Sequence, residues 1–164
     1  MQFSSRDSRR RSEMAQQKLT VSGTAPSLIG SAPQCGRYLK ITMFIKKLPD
    51  ITNEYFHAYW ANNHVQVSLA NTTFASKIRR YNQYHITPEL REQAERLGGT
   101  VLDFDGAAEF WVEALEDWES IARDPDFVRM VSGDMLNFVR EPLYVTLGYD
   151  YLVVGKDWDA APAA

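Results

Sequence analysis

Residues 38–46, YLKITMFIK, separate by parity into two unlike sets. Leu39, Ile41, Met43 and Ile45 fall on one side of an extended chain, and Tyr38, Lys40, Thr42, Phe44 and Lys46 on the other, because successive strand side chains point to opposite faces. A strand with one strongly apolar side belongs to a sheet whose apolar face is covered by other elements. Leu48-Pro49-Asp50 breaks the strand, and Asp50 or Thr52 is placed to cap a helix directly after it.

That helix is expected to run to about Ser68. Phe56, Trp60 and His64 recur every four residues and share one helical face, with Tyr59 and Val67 on or near it. Asn71, Thr72 and Thr73 read as a loop. Residues 77–87 form a second strand, with Arg79, Tyr81, Gln83 and His85 on one face and Ile78, Arg80, Asn82, Tyr84 and Ile86 on the other. Pro88 ends it. Residues 89–97 are a short solvated helix stopped by Gly98-Gly99, and residues 103–106 a turn. A third strand over 107–113 sets Phe110 and Val112 against Glu109 and Trp111. Residues 115–123 are helical, and Asp124-Pro125 supplies the cap and first position of a further helix carrying Phe127, Met130, Val131, Asp134, Leu136, Asn137 and Phe138. Pro142 opens a last strand over 143–154, whose alternate positions Leu143, Val145, Leu147, Tyr149, Tyr151 and Val153 are apolar or aromatic.

The order strand, helix, strand, strand, helix, strand is the ferredoxin-like pattern. The expected class is α+β, a four-stranded antiparallel sheet with helices on one face. The other face then needs a cover, and a homodimer packing sheet against sheet is the economical one.

Composition bounds the rest. Residues 1–36, rich in Ser, Arg and Gln and without apolar periodicity, read as a disordered extension; the folded domain occupies 37–156, and 157–164 is a short tail. Asp7 and Glu13 argue against a targeting role for the Arg9-Arg10-Arg11 cluster. A net charge of −3 gives no nucleic-acid footprint. No apolar run is long enough to span a bilayer. The single cysteine, Cys35, makes no internal disulfide and excludes zinc held by paired cysteines, and a cytoplasmic location is expected.

The residues with chemistry lie mainly between 52 and 85. His64, on the face with Phe56 and Trp60, is either a core histidine bonded to backbone or a general acid/base in a cavity between helix and sheet. His85 is either a strand-end residue in solvent or a second acid/base or orienting group, with Tyr81 donating a hydrogen bond nearby. His57 lies one step off the His64 face and is expected to be exposed. Trp60, Trp111 and Phe138 are core, ring walls for a planar ligand, or both. Glu109 is an exposed strand carboxylate or a buried acid with a raised pKa. Asp105 serves the turn before Gly106. Asp134 and Asn137, one helical turn apart, either bond to a ligand or face water. His64, His85 and Glu109 are the one conceivable metal set; they come from three elements without diagnostic spacing, and no metal or cofactor is expected. No glycine-rich phosphate loop and no Ser-His-Asp or Cys-His signature is present.

Four stretches, KKLPDITNEYFHAYWANNH, YNQYH, DFDGAAEFWVEALEDW and DPDFVRMVSGDMLNF, together resemble the EthD family of the dimeric α+β barrel superfamily. Within it the chain resembles small fungal proteins encoded beside aromatic polyketide synthases. The resemblance implies a cofactor-free decarboxylase, or alternatively a dehydratase or cyclase, acting on an anthrone or anthraquinone precursor such as atrochrysone carboxylic acid. A non-catalytic accessory domain that binds such a ligand is the other reading. On the lyase reading His64 delivers a proton, Tyr81 and His85 bind the carboxylate or enolate oxygen, and Tyr59, Trp60, Gln83, Glu109, Trp111, Asn137 and Phe138 contact the substrate.

Overall fold

The computed structural model describes residues 33–155. Its first element, β1 (Gln34–Cys35), pairs antiparallel with the last, β6 (Tyr151–Leu152), and the Gly36 N–H donates to the Asp150 carbonyl at 2.7 Å. The expected extension over 1–36 and tail over 157–164 otherwise lie outside the described residues. Where they overlap, the start of the domain moves: Cys35 belongs to a strand. A two-residue strand has no periodicity to read, so this pairing left no mark in the sequence.

Strand β2 (Leu39–Lys47) follows the alternation of residues 38–46. It sits between β4 (Gly106–Val112) and β5 (Val139–Gly148), and β3 (Ile78–His85) pairs with the far side of β4, giving the order β3-β4-β2-β5 with antiparallel neighbours throughout. With two parallel pairs interleaved in this way, the fold is a ferredoxin-like α+β sheet.

Register decides the faces. Ile41 lies opposite Phe110, which lies opposite Tyr81; one residue along, Thr42 lies opposite Glu109, which lies opposite Asn82. The first row points to the helices and the second away from them. The core forms on the first side, where Ile41, Ile45, Phe110 and Val112 meet Phe56, Trp60, Phe74, Ile121 and Phe138. Fully burying side chains of this size stabilises by about 1.5–3 kcal/mol each.

The helical layer is more broken than the sequence suggests. Thr52 caps α1 (Asn53–Tyr59) by accepting the Tyr55 N–H. A π-helical turn, Trp60–His64, follows, then α2 (Val65–Ala70). The expected loop at 71–73 is instead a helix start: the Asn71 side chain accepts the Phe74 N–H at 2.7 Å and opens α3 (Thr72–Lys77), which buries Phe74 in the core. Thr87 caps α4 (Pro88–Arg96), and Gly98 takes φ +79° just past its end, the left-handed conformation that glycine adopts most easily. After α5 (Leu115–Ala122), Asp124 caps α6 (Pro125–Phe127); a second π turn, Val128–Ser132, leads into α7 (Gly133–Met135).

The last strand is also displaced from expectation. It begins at Val139, so Pro142 lies inside it. The pairing slips there, with Lys46 opposite Arg140 but Phe44 opposite Tyr144. β5 is an edge strand, and an irregularity at an edge is where a sheet accepts proline. The strand stops at Gly148, and Tyr151–Leu152 turn away to pair with β1.

Candidate functional site

Helix α1 carries two adjoining clusters of side chains into the space between helix and sheet. Phe56 and Trp60, 0% and 1% exposed, fix its buried face. The Trp60 indole lies directly on Gly106 at the start of β4: a Cβ built there would come within 2.5 Å of the ring and 2.7 Å of the Tyr84 carbonyl oxygen. The Asp-Gly at the head of β4 thus has two roles. Asp105 accepts the Lys47 N–H and pairs with Arg91, while Gly106 leaves room for the tryptophan.

The first cluster centres on His64, at the end of the π turn and 6% exposed. Its Nδ1 lies 2.8 Å from Asp134 Oδ2. The Tyr59 hydroxyl donates to Asp134 Oδ1 at 2.6 Å, and Asn137 Nδ2 lies 3.3 Å from both the Tyr59 hydroxyl and Asp134 Oδ1. Phe138 packs edge-on to the imidazole at 5.0 Å and tilted against Tyr59 at 5.4 Å. Burial works to raise the Asp134 carboxyl, but the hydrogen bonds from Tyr59, His64 and Asn137 outweigh it and hold the group below the usual carboxylate range. For His64 burial is the larger influence; it exceeds the opposing pull of Asp134, so the ring titrates below its ordinary value. At neutral pH the pair is therefore a neutral imidazole donating Nδ1–H to a carboxylate. That fixes the tautomer and leaves Nε2 with a lone pair, the arrangement that makes a histidine an oriented acid/base.

The second cluster centres on His85, and hydrogen-bond logic settles its protons. Gln83 Nε2 donates to the Trp60 carbonyl at 3.0 Å, which can only accept, so the amide orientation is fixed. The same nitrogen lies 2.9 Å from the Tyr81 hydroxyl. Gln83 Oε1 must then accept from His85 Nε2, 3.0 Å away. The bare Nδ1 of His85 lies 2.8 Å from His57 Nδ1, which has to supply the proton. His57 Nε2 is left buried and without a partner. Burial lowers both histidines from their ordinary values, and the closeness of His57 lowers His85 further. The Trp60 and His85 rings lie 4.5 Å apart. Tyr81, pushed up by burial, packs on Phe110 at 4.8 Å.

Seven of the ten residues singled out in the sequence, Tyr59, Trp60, His64, Tyr81, Gln83, His85 and Phe138, thus face the layer between helix and sheet, and Asn137, exposed, joins them at the rim through Tyr59 and Asp134. Glu109 and Trp111 do not. They lie on the far face of the sheet, where Lys40 Nζ sits 2.5 Å from Glu109 Oε1 and 4.8 Å from the Trp111 ring, and Trp111 Nε1 donates to Asp150 at 2.8 Å. Their parity relative to Phe110 was legible, but only the pairing of Phe110 with Tyr81 shows which parity the histidines share. His57, expected to be exposed, is half-buried against His85. Its angular offset from Phe56 was correctly read; its partner, 28 residues on, was not. Asp134 had two open readings, and the spacing Asp134/Asn137 was the available signal. Among the described residues no group of three or more His, Cys, Asp or Glu side chains is arranged to hold a metal.

Comparison with curated protein sequences finds no match. A dimeric protein of unknown function and ferredoxin-like fold from Bacteroides fragilis is similar in structure at a TM-score of 0.47 and 15% identity, over 73% of this chain and 100% of that one. An ethyl tert-butyl ether D (EthD) family protein from Bacillus halodurans matches at 0.47 and 14%, over 68% and 96% of the two chains. An EthD-like protein from Ralstonia eutropha matches at 0.46 and 14%, over 73% and 95%. The sequence profile of the EthD domain matches residues 48–142, more than half of the chain and the whole stretch that carries both histidine clusters. The chain belongs to the EthD domain family.

Proposed function

We propose that the protein is a cofactor-independent lyase, a decarboxylase of an aromatic polyketide carboxylic acid of the atrochrysone carboxylic acid type, with His64 as the proton donor. The observation that carries this reading is the dyad of His64 and Asp134, whose second carboxylate oxygen is held by Tyr59. A histidine fixed at Nδ1 by a half-buried carboxylate is oriented, and its imidazolium is stabilised when it forms.

The step is short. The substrate carboxylate leaves as carbon dioxide, and the bonding pair moves onto the adjacent carbonyl as an enolate. His64 takes up a proton from solvent at its Nε2 lone pair, the imidazolium being held by Asp134; that proton passes to the carbon, and the ring returns to the neutral form. The Tyr81 hydroxyl, which accepts from Gln83 and keeps its own proton to donate, suits the enolate oxygen, with the His57–His85 pair holding Gln83 beside it. Trp60, Phe56 and Phe138, fully buried, form the rigid ring packing that backs the two histidine clusters. Glu109 and Trp111, behind the sheet, have no part in it. Dehydration of the same class of substrate would use the same groups, and mass detection separates the two by loss of carbon dioxide or of water. Incubating a candidate polyketide acid with the protein, with and without His64→Ala, tests the reading; a ligand bound but returned unchanged would indicate a binding domain instead.

The protein is also proposed to act as a homodimer. The outward face of the sheet carries an aromatic row, Tyr84, Phe44 and Tyr144, in register across the strands, with Phe104 packed on Phe44 and Tyr144 at 5.2 and 5.4 Å. Tyr84 and Tyr144 are 61% and 56% exposed in the single chain. Exposed apolar rings in a row favour a covering partner. Light scattering that reports only monomer at micromolar concentration would count against it.

A further inference from the structure

Helix α1 does not reach His64 as a regular helix. The π turn at Trp60–His64 holds one more residue per hydrogen-bonded loop than an α-turn, so residues that follow it are rotated back around the axis relative to α-helical spacing. On uninterrupted α-helical spacing, His64 would continue the drift from Phe56 to Trp60 and lie towards the β3 side with His57. The π turn returns it towards Tyr59, where Asp134 is. The dyad exists because the turn is wide.

A wide turn disturbs the helical ladder, and its carbonyls need donors. Three around this turn receive them from side chains. Asn62 Nδ2 donates to the Ala58 carbonyl at 2.8 Å, and the Ser68 hydroxyl donates to the His64 carbonyl at 2.8 Å; both are local bonds from four residues on. The third comes from the sheet: Gln83 Nε2 reaches the Trp60 carbonyl, at the first residue of the turn. A side chain inserted into the ladder is a recognised cause of irregular helix geometry. Gln83 is itself held at both ends of its amide, by the Tyr81 hydroxyl and by His85, which His57 anchors in turn.

We infer that Gln83 is a positioning residue: its amide clamps the π turn to strand β3 and so aims His64 at Asp134, with His57 and His85 holding the clamp in orientation. This deepens the reading of His64 above and replaces the expectation that Gln83 contacts substrate.

The test separates three roles for Gln83. In protein labelled with ¹⁵N at histidine, the His64 Nδ1 proton bonded to Asp134 gives a resonance that does not depend on any substrate. Gln83→Leu removes the donor at similar volume. The expected result is a folded protein that has lost this resonance, with turnover of the polyketide acid lowered about a hundredfold, the cost of small misplacements at reacting groups, and KM little changed. Asn62→Ala, which touches only the local bond, is expected to keep the resonance. A Gln83→Leu protein that retains the resonance overturns the inference, whether its loss appears in KM, as for a substrate contact, or in melting temperature alone. Gln83→Glu, isosteric but without the donor, serves if the leucine variant does not fold. A scalar coupling across the bond from Gln83 Nε2 to the Trp60 carbonyl in the wild-type protein checks the clamp directly, and its absence also overturns the inference. Loss of the resonance together with normal turnover in His64→Ala would sustain the clamp and sink the proposed reaction.

Discussion

Replacing Gly106 by alanine adds one methyl group where two rigid neighbours already stand. The new Cβ would lie 2.5 Å from Trp60 Cζ3 and 2.7 Å from the Tyr84 carbonyl oxygen. Carbon atoms rest at about 3.5–4.0 Å, so the ring would have to retreat by roughly 1 Å. Trp60 has little room, since it is 1% exposed and packs against Phe56 at 5.6 Å and His85 at 4.5 Å. The Tyr84 oxygen belongs to β3 and does not rotate away. Overpacking of this kind costs about 1–3 kcal/mol, and the backbone clash places this site at the upper end. Alanine regains about 0.5–1 kcal/mol through the unfolded chain, which leaves a net loss of about 2 kcal/mol. For a domain of this size that lowers Tm by roughly 5–10 °C. Thermal unfolding followed by circular dichroism, with urea unfolding to check that the slope m is unchanged, measures it. An unchanged or raised Tm would refute the packing argument and the reason given for glycine in the Asp-Gly pair.

Two further predictions concern stability. Asn71→Ala should cost about 1–2 kcal/mol in urea unfolding through loss of the α3 cap, whereas Thr72→Ala, one residue on, should be nearly neutral. The three histidines, all depressed in the folded state by burial first, make the unfolded chain bind more protons than the folded one below their ordinary pKa of about 6.5. Their contribution is complete above that pH and is lost as pH falls towards the folded values, so stability should rise from pH 5 to pH 7 with a slope that His57→Gln reduces. Asp134 has the acid counterpart: its depressed carboxyl stabilises above its unfolded pKa, and that part is lost only as pH falls through the folded one.

How far the sequence was readable follows from where the information lies. Alternation in residues 38–46 and 77–87 locates strands because each face meets a different medium. Thr52, Thr87 and Asp124 locate helix starts because a cap is a local bond. Asn71 makes the same kind of bond but sits in a polar triplet that also suits a loop, and only the burial of Phe74 decides. The candidate site was half legible. His64, Tyr59 and Trp60 stood out by spacing and Phe138 as a large ring, yet a 3.6-residue period cannot announce a π turn, and His57–His85 and His64–Asp134 meet across 28 and 70 residues. Glu109 and Trp111 were misplaced for a related reason, since face assignment across strands needs register, which no single strand contains.

The central claim is that His64 hands a proton to carbon, and single-turnover decarboxylation by the wild-type protein and by His64→Gln tests it most directly. Glutamine preserves hydrogen bonding but exchanges no proton near neutral pH. The account predicts a folded variant slowed by about a hundredfold or more, the usual scale for a general acid/base, with substrate affinity changed far less. In the wild-type protein the rate should fall as pH rises through the His64 pKa, which burial sets below its ordinary value, and that limb should vanish in the variant. A folded His64→Gln protein that releases carbon dioxide at the wild-type rate, with the pH limb intact, would contradict the account.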